Sequence, residues 1–342
     1  MTNLELAPKE TEIGQDSPCR EKLEVVSARE VPLGGVRAMT VRRTIPHRAR
    51  SMVGAWCFAD HYGPDDVTIG SGMQVAPHPH TALQTVTWLF AGEIEHRDSL
   101  GTVQRVRPGE LNLMTAGHGI SHSEGSPADR PPTLHGVQLW TALPASAAGV
   151  APHFEHLGHS DLPRFALPGA SVTVLAGDLM GHRAPTKTYS PLVGAEITLA
   201  AGAEITLEID PQFEYGVLAD TPGIRVHGHE LARSELVYLP PGPRTLPISA
   251  TAAARFMLLG GAPFEEEIVM WWNFIGRSHE EVVAARDEWM QTVQQYDEQG
   301  APRSGVDPTR YGLVSGFPEG PIPAPPLPRV RLRTRGNLKP NN

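Results

Sequence analysis

The stretch APHPHTALQTVTW, residues 76–88, places two histidines one residue apart and continues into alternating β-branched and bulky residues. Alternation of this kind predicts a β-strand, in which residues i and i+2 point to the same face. His78 and His80 should therefore project side by side. Two neighbouring imidazoles supply half of a metal site, so the remaining ligands must come from elsewhere in the chain.

The composition favours an all-β protein. The chain has 342 residues, of which 40% are hydrophobic, enough for a substantial core. Only 6% are aromatic, whereas 34 glycines and 33 prolines suit many short strands joined by tight turns. Strand-like runs separated by Gly or Pro fill residues 73–113 and resume beyond residue 150. This pattern predicts two successive β units of similar size.

Charge and cysteine content narrow the classes of function. A formal net charge of −9 argues against a general nucleic-acid surface. Cys19 and Cys57 provide neither a disulfide framework nor a thiolate metal site, so a cytoplasmic location and nitrogen or oxygen ligands are expected. The polar N-terminus lacks the apolar run of a signal peptide, and no stretch approaches the roughly 20 apolar residues that span a bilayer. A soluble protein without membrane association is expected.

A second pair of candidate ligands lies in PGELNLMTAGHGISHSE, residues 108–124. His122 and Glu124 are again one residue apart and share a face if the segment is extended. Three imidazoles and a carboxylate that meet across a small barrel suit Fe(II), Mn(II), Ni(II), Cu(II) or catalytic Zn(II). A six-coordinate ion held in this way would keep two positions for water or substrate.

Other active sites lack their motifs. The sequence has no G-x-S-x-G elbow, no P-loop and no G-x-G-x-x-G that opens a helix, which leaves hydrolase, nucleotide-binding and Rossmann functions without a mechanism. One helix is predicted, in SHEEVVAARDEWMQTVQQYDEQG, with Ser278 as its capping residue and Gly300 at its end.

Several motifs resemble the pirin family. They are HPHTALQTVTWLFAGEIEHRDSLG, PGELNLMTAGHGISHSE and HGVQLWTALP in the first half, and FEYGVLAD, FMLLGGAPF and WWNFIGRSHEEV in the second. The resemblance covers residues 25–295. It implies a bicupin, an all-β protein of two facing antiparallel β-barrels of the jelly-roll or cupin type, with a C-terminal helix.

By that resemblance, the first barrel binds one divalent metal ion and the second barrel has lost its ligands. Fe(II) is the expected metal, with Mn, Ni, Co, Cu and Zn as alternatives. The implied ligands are His78, His80, His122 and Glu124. The implied organisation is a flexible N-terminal tail (1–24), a metal-binding cupin barrel (25–150), a cupin barrel without ligands (151–266), a docking segment with the helix (267–300) and a Pro-rich, then basic, tail (301–342).

The chain departs from the family pattern near the ligands. Thr81 and Gln84 stand where the family motif HPHRGFETVT has arginine and glutamate, and His118 replaces the arginine of AGRGI. A neutral Gln84 cannot act as a general base. Gln84 and His118 are therefore expected to support the ligands without binding the metal, which leaves Glu124 as both ligand and catalytic base.

The other polar residues near these motifs are expected to be structural. Glu95, His96 and Asp98 should lie on the solvated surface of a hairpin. The pair His227 and His229 should belong to a turn. His135 and Trp140 should pack in the core between strands.

The resemblance to pirins implies two alternative functions. One is a metal-dependent dioxygenase that cleaves a quercetin-like flavonol with O2 and releases carbon monoxide, with Glu124 taking the hydroxyl proton. The other is a non-catalytic, metal- or redox-sensing regulator that binds a transcription factor or a metabolic enzyme. An open apolar channel to the metal would favour the enzyme, whereas a closed site beneath a charged surface would favour the regulator.

The C-terminal arginines offer a further contact surface. Arg329, Arg331, Arg333 and Arg335 alternate with other residues and would share one face of an extended segment, where they could contact phosphate or an acidic protein. Terminal segments more often lie along a sheet edge or solubilise the chain end. Nucleic acid is therefore not an expected partner, except through this tail.

Overall fold

The computed structural model describes residues 24–33 and 39–334. Its first strands are β1 (Glu24–Val26), β2 (Arg29–Leu33), β3 (Met39–Ile45), β4 (Trp56–Asp66), β5 (Gln74–His80), β6 (Leu83–Ala91), β7 (Ile94–Asp98), β8 (Val103–Val106), β9 (Leu111–Thr115), β10 (Ile120–Gly125), β11 (Thr133–Ala142) and β12 (His153–Leu157). The later elements are β13 (Arg164–Leu167), β14 (Ala170–Leu179), β15 (His182–Arg183), β16 (Leu192–Leu199), β17 (Glu204–Glu208), β18 (Glu214–Ala219), β19 (Ile224–Val226), β20 (His229–Leu231), β21 (Leu236–Leu239), β22 (Thr245–Ala250), β23 (Ala254–Gly261), β24 (Val269–Trp271), β25 (Phe274–Gly276) and helix α1 (His279–Val293).

Strands β1 to β23 form two units of two sheets each, and β24 and β25 form a separate C-terminal hairpin. In the first unit the sheet orders are β12-β9-β6-β11-β4-β3-β2 and β5-β10-β7-β8. In the second they are β1-β21-β18-β23-β16-β14-β13, with β15 on β14, and β17-β22-β19-β20. Neighbouring strands run antiparallel. This architecture confirms the expected all-β class with two cupin units and a C-terminal helix.

Two strands join the unit that is more distant in sequence. Strand β1 pairs with β21 of the second unit, and β12 pairs with β9 of the first. Strand β12 thus belongs to the first unit although it lies after residue 150, the predicted end of that unit. Strand β1 begins at residue 24, the last residue of the predicted N-terminal tail. Residues 1–23 of that tail lie outside the described residues, and the predicted domain limits stay predictions.

Two tryptophans of the first unit donate hydrogen bonds into the second. Trp56 Nε1 donates to the carbonyl of Val193 at 3.0 Å, and Trp88 Nε1 donates to Glu196 Oε2 at 2.6 Å. Gly194 leaves room for the first contact, because a Cβ at this position would lie 2.8 Å from the Trp56 ring. These directed contacts fix how the two units face each other.

Helix α1 begins as its sequence predicts but ends early. The side chain of Ser278 accepts a hydrogen bond from the backbone of Glu281 at 3.2 Å. The helix stops at Val293 rather than at Gly300, because Tyr296 turns into the core and its backbone pairs with Pro302. Across the described ranges, no helix has the length and apolar character needed to cross a bilayer.

The segment after the helix returns to the first unit. The backbone N–H of Ile322 donates to the carbonyl of Pro77 at 2.8 Å, and the carbonyl of Tyr311 accepts from the backbone of Ser121 at 2.9 Å. Trp289 of α1 holds this segment by donating to the carbonyl of Ile322 at 2.8 Å. The C-terminal segment therefore braces β5 and β10, the two strands that carry the four candidate ligands.

The basic tail is only partly described. Arg331 forms an ion pair with Glu280 at the start of α1, with Nη2 2.7 Å from Oε2. Arg335 lies outside the described residues. A phosphate-binding role for this tail stays a prediction.

Substitution of Glu196 by glutamine should stabilise the fold at neutral pH. Burial raises the pKa of the Glu196 carboxyl above its usual range. The stability that this group contributes is therefore fully present below its unfolded pKa and is lost as the pH rises through its folded pKa. Glutamine stays neutral and can still accept from Trp88. Urea unfolding should show little difference between wild type and Glu196→Gln near pH 4 and a more stable variant at pH 8. Equal stability at both pH values would contradict this account.

Candidate metal centre

Pairing of β5 with β10 brings three histidines onto one face. His122 lies directly opposite His78, and His80 lies opposite Ile120. Because opposed residues of antiparallel strands share a face, all three imidazoles point into the first unit. Their ring centroids are 4.3–5.1 Å apart, and all three side chains are fully buried. The expected same-face arrangement of the histidines is therefore present.

The hydrogen bonds of the first two imidazoles fix which ring nitrogen carries the proton. His78 Nδ1 lies 2.8 Å from the carbonyl of Ala76, and His80 Nδ1 lies 3.3 Å from the carbonyl of Asn273. A carbonyl can only accept, so each Nδ1 carries the hydrogen and each Nε2 keeps its lone pair. The Nε2 atoms of His78, His80 and His122 have no hydrogen-bond partner within the described part of the chain.

The third imidazole is oriented by two residues that the sequence analysis placed on the surface. His96 and Asp98 are buried, which corrects that expectation. His96 Nε2 donates to Asp98 Oδ2 at 3.1 Å, so His96 Nδ1 accepts from His122 Nδ1 at 3.3 Å. This relay leaves the lone pair of His122 on Nε2. A histidine ligand backed by a further hydrogen-bond partner is the usual arrangement at metal sites.

The protonation of the three imidazoles suits a metal. Burial lowers the pKa of His78, His80 and His122 well below the ordinary value, because an imidazolium ion would lose its hydration. Neutral imidazole is the form that binds metal ions. Ligand nitrogens of these three residues lie within 4.8 Å of one another. Three buried, unpaired lone pairs in one place fit a divalent ion that prefers nitrogen and oxygen ligands.

Glu124 lies at the edge of this group. The register of β10 against β5 shifts between His122 and Glu124, so Glu124 lies opposite Val75 of β5. On the other side of β10, Glu124 pairs with His96 of β7. Its carboxylate falls in a second ligand group with His96 and His122, within the same 4.8 Å limit. Thr87 of β6 donates its hydroxyl to Glu124 Oε1 at 3.0 Å. The carboxylate is therefore buried beside the imidazoles and held by a hydroxyl group.

The two residues expected to support the ligands lie elsewhere. Gln84 is on the opposite face of β6 from Thr87, and its amide donates to Thr115 Oγ1 and to the carbonyl of Lys187, both at 2.9 Å. It therefore contacts the second unit instead of the ligands. His118 is exposed in the turn between β9 and β10. The supporting roles of both residues stay predictions.

The remaining residues from the sequence analysis are a tryptophan and three histidines outside the proposed ligand set. Trp140 is buried and its ring lies 4.9 Å from that of His80, so it packs in the core as expected and also borders the metal centre. His227 adopts a positive φ of 48° in the turn between β19 and β20, as expected, whereas His229 is the first residue of β20 and is exposed. His135 is buried as expected but forms an ion pair with Asp220 at 2.6 Å.

Comparison with known proteins agrees with this geometry. The family model for pirin matches residues 36–141, and the model for the pirin C-terminal cupin domain matches residues 194–294. A Pseudomonas aeruginosa protein provisionally named a quercetin 2,3-dioxygenase is 45% identical over 317 residues, covering 92% of this chain and 94% of the relative. A pirin-like protein of Caulobacter vibrioides is 34% identical and covers 78% and 92% of the two chains.

A solved structure is similar throughout. The crystal structure of a quercetin 2,3-dioxygenase from Acinetobacter baumannii shares 36% sequence identity with this chain, with a TM-score of 0.83. The match covers 91% of this chain and 97% of the other.

Substitution of His80 should remove one metal ion. The His80→Ala variant loses one of three convergent nitrogen donors, so we expect the affinity of this centre for a divalent metal ion to fall by more than about 100-fold. Elemental analysis of the purified, metal-loaded protein should show one equivalent less than in wild type. His118→Ala is the matched control and should keep the full metal content, because His118 is exposed. Equal metal content in all three proteins would rule out this centre.

Proposed function

The chain belongs to the pirin family, and on that premise we propose that it is a metal-dependent dioxygenase that acts on a flavonol-type substrate. The observation that carries the proposal is the set of three buried Nε2 lone pairs on His78, His80 and His122. These residues would hold one divalent ion, with Glu124 as the neighbouring carboxylate. The Acinetobacter and Pseudomonas relatives support the reaction class through their names.

Fe(II) is the proposed metal, with Mn, Ni, Co, Cu and Zn as alternatives. Imidazole and carboxylate ligands suit all of these ions, so the donor set alone does not select one. When bound, the ion would supply Lewis acidity toward the oxygen atoms of the substrate and a path for electron transfer to O2.

Glu124 is the proposed base. Its carboxylate would accept the proton of the flavonol hydroxyl group, which must leave before the ring can react with O2. In the overall reaction both oxygen atoms of O2 end in the products, the ring opens and carbon monoxide is released. Glu124 remains the one carboxylate of the four proposed ligands, and Gln84, which replaces the family glutamate, faces the second unit.

A hydrogen-bonded chain holds Glu124 in this role. Thr87 has a single hydroxyl proton and lies 3.0 Å from both Glu124 Oε1 and Gln138 Oε1, so it can donate to only one of these oxygens. Both contacts are satisfied when the Gln138 amide is turned by 180°, so that its N–H donates to Thr87 and the Thr87 hydroxyl donates to Glu124. A carboxylate that receives a buried hydroxyl is held in one orientation, so Thr87 positions Glu124 for proton transfer.

The wall beside the imidazoles is aromatic. Trp140 stacks on Phe58 with ring centroids 3.9 Å apart, and its edge faces His80 at 4.9 Å. Such a wall would exclude water from the metal.

One observation favours a second candidate, the metal-bearing regulator that binds a protein partner. The three imidazoles are fully buried, and a cavity of about 610 Å³ lies on the outer side of β7 and β10, lined by Glu95, Arg97 and Arg130 among others. A charged groove over a closed centre could report the state of the metal to a partner.

Oxygen uptake distinguishes the two functions. The metal-free protein would be reconstituted anaerobically with Fe(II), Mn(II), Ni(II), Co(II), Cu(II) or Zn(II) and then exposed to O2 with a panel of flavonols. Metal-dependent uptake that is abolished in His80→Ala would support the dioxygenase and identify the active metal. Stoichiometric metal binding without uptake for any metal would overturn the flavonol dioxygenase and favour the regulator.

Removal of the Thr87 hydroxyl should slow the reaction without removing the metal. Thr87→Val keeps the shape of the side chain but cannot donate to Glu124, so we expect kcat/KM to fall about 10- to 100-fold. Thr87→Ser retains the hydroxyl and should stay within about threefold of wild type. Metal content, measured in parallel, should be unchanged in both variants. An equal loss of activity in both, or a loss of metal in Thr87→Val alone, would show that Thr87 has a different role.

A further inference from the structure

A second histidine and carboxylate cluster lies where the two units meet. His61 of β4 and His135 of β11 come from the first unit, and Asp220 follows β18 of the second. Asp220 Oδ1 lies 2.7 Å from His61 Nε2 and 2.6 Å from His135 Nε2, and the two Nε2 atoms are 3.2 Å apart. All three side chains are buried. None of them belongs to the centre described above.

We propose that His61, His135 and Asp220 form a second divalent metal site that joins the two units. The geometry carries the proposal. Two donors that lie about 2.1 Å from an ion and subtend a right angle are about 3.0 Å apart. The three measured separations, 2.6, 2.7 and 3.2 Å, bracket that value. Two imidazoles and one carboxylate on one side of an ion form the facial arrangement that Fe(II), Co(II) and Zn(II) accept.

The outer contacts hold two of these ligands in place. Arg255 donates to the other oxygen of Asp220, Oδ2, from Nε at 2.7 Å and from Nη2 at 2.6 Å. Oδ1 therefore remains directed at the two imidazoles. His61 Nδ1 lies 2.8 Å from Ser234 Oγ, which also accepts from Arg42 Nε at 2.9 Å. Ligand side chains fixed by further hydrogen bonds are the normal condition of a metal site.

The proton on His61 can move to make way for an ion. Ser234 Oγ can either donate to His61 Nδ1 or accept from it. In the second case the proton resides on Nδ1, and the lone pair of Nε2 points at the cluster. Burial lowers the pKa of His61 to about 4, so the ring is neutral at physiological pH, as a ligand must be.

Without an ion, the same three groups can satisfy one another. Both Nε2 atoms would then carry hydrogens and donate to the single oxygen Asp220 Oδ1. The two Nε2 atoms would then lie 3.2 Å apart with both of their hydrogens directed at Asp220 Oδ1, so the two hydrogens would repel each other. An ion removes this repulsion, since both lone pairs and the carboxylate are attracted to it. The role of the ion would be structural, because it would link β4 and β11 to the end of β18.

The test counts ions in the whole protein. The chain would be stripped with a chelator and loaded with Co(II). Bound cobalt would be measured by elemental analysis and by its visible absorption. Wild type should hold two equivalents, the single variants His80→Ala and His135→Gln one each, and the double variant none. Glutamine at 135 can still donate a hydrogen bond to Asp220, so it removes the ligand while preserving the contact.

Each outcome decides one question. A folded His80→Ala variant that holds no cobalt would overturn the second site, as would two equivalents in both wild type and His135→Gln. A single equivalent that His135→Gln removes and His80→Ala keeps would support the second site and overturn the first. If the variants fail to fold, wild-type crystals grown with Co(II) give the answer from anomalous scattering at the cobalt edge. A peak bonded to His61, His135 and Asp220 would support the site, and no peak there would overturn it.

Discussion

The pairing of β5 with β10 is the constraint on which the first unit depends. It buries three imidazoles on one face and leaves the Nε2 atoms of His78, His80 and His122 without hydrogen-bond partners in the described ranges. A buried polar group that lacks a partner costs about 1–3 kcal/mol. The contacts of the Nδ1 atoms make this cost unavoidable, because they hold each ring proton on Nδ1 and leave Nε2 with a lone pair and no proton to donate. A bound divalent ion offsets this cost at all three nitrogens at once, so the pairing makes physical sense as a metal centre.

Because β5 forms the edge of its sheet, its outer side needs cover from elsewhere. The chain after residue 272 provides it. The carbonyl of Asn273 fixes the His80 ring, Thr81 donates its hydroxyl to the carbonyl of Ile275 at 3.2 Å, and Ile322 pairs with Pro77. The C-terminal hairpin and the segment after the helix thus complete the strand that carries two of the three histidines. This dependence explains how residues about 200 positions away in sequence help to orient the metal ligands.

Local periodicity predicted the fold class and the shared face of the three histidines, because the period of a strand is two whatever its surroundings. It could also have found His96 and Asp98, which alternate with Ile94 on the buried face of β7, but polar residues in a hairpin resemble surface. The orientation of Gln84 and the contact between His135 and Asp220 depend on how two units dock. That docking is a long-range property, so neither motif nor spacing reveals it. The helix end was misplaced for the same reason, since the burial of Tyr296 decides it.

The two units bury different kinds of side chain, and this difference assigns their roles. The core of the second unit consists of side chains such as Ile197, Val217 and Leu258, which pack without needing directed partners. The interior of the first unit holds histidines, Glu124 and Thr87, each of which requires a specific partner. An apolar core tolerates relaxation, whereas a polar one is stable only in a single arrangement. The second unit therefore serves as a stable support. Its polar side chains Glu196 and Asp220 lie at the boundary, where they bind Trp88 and His135 of the first unit.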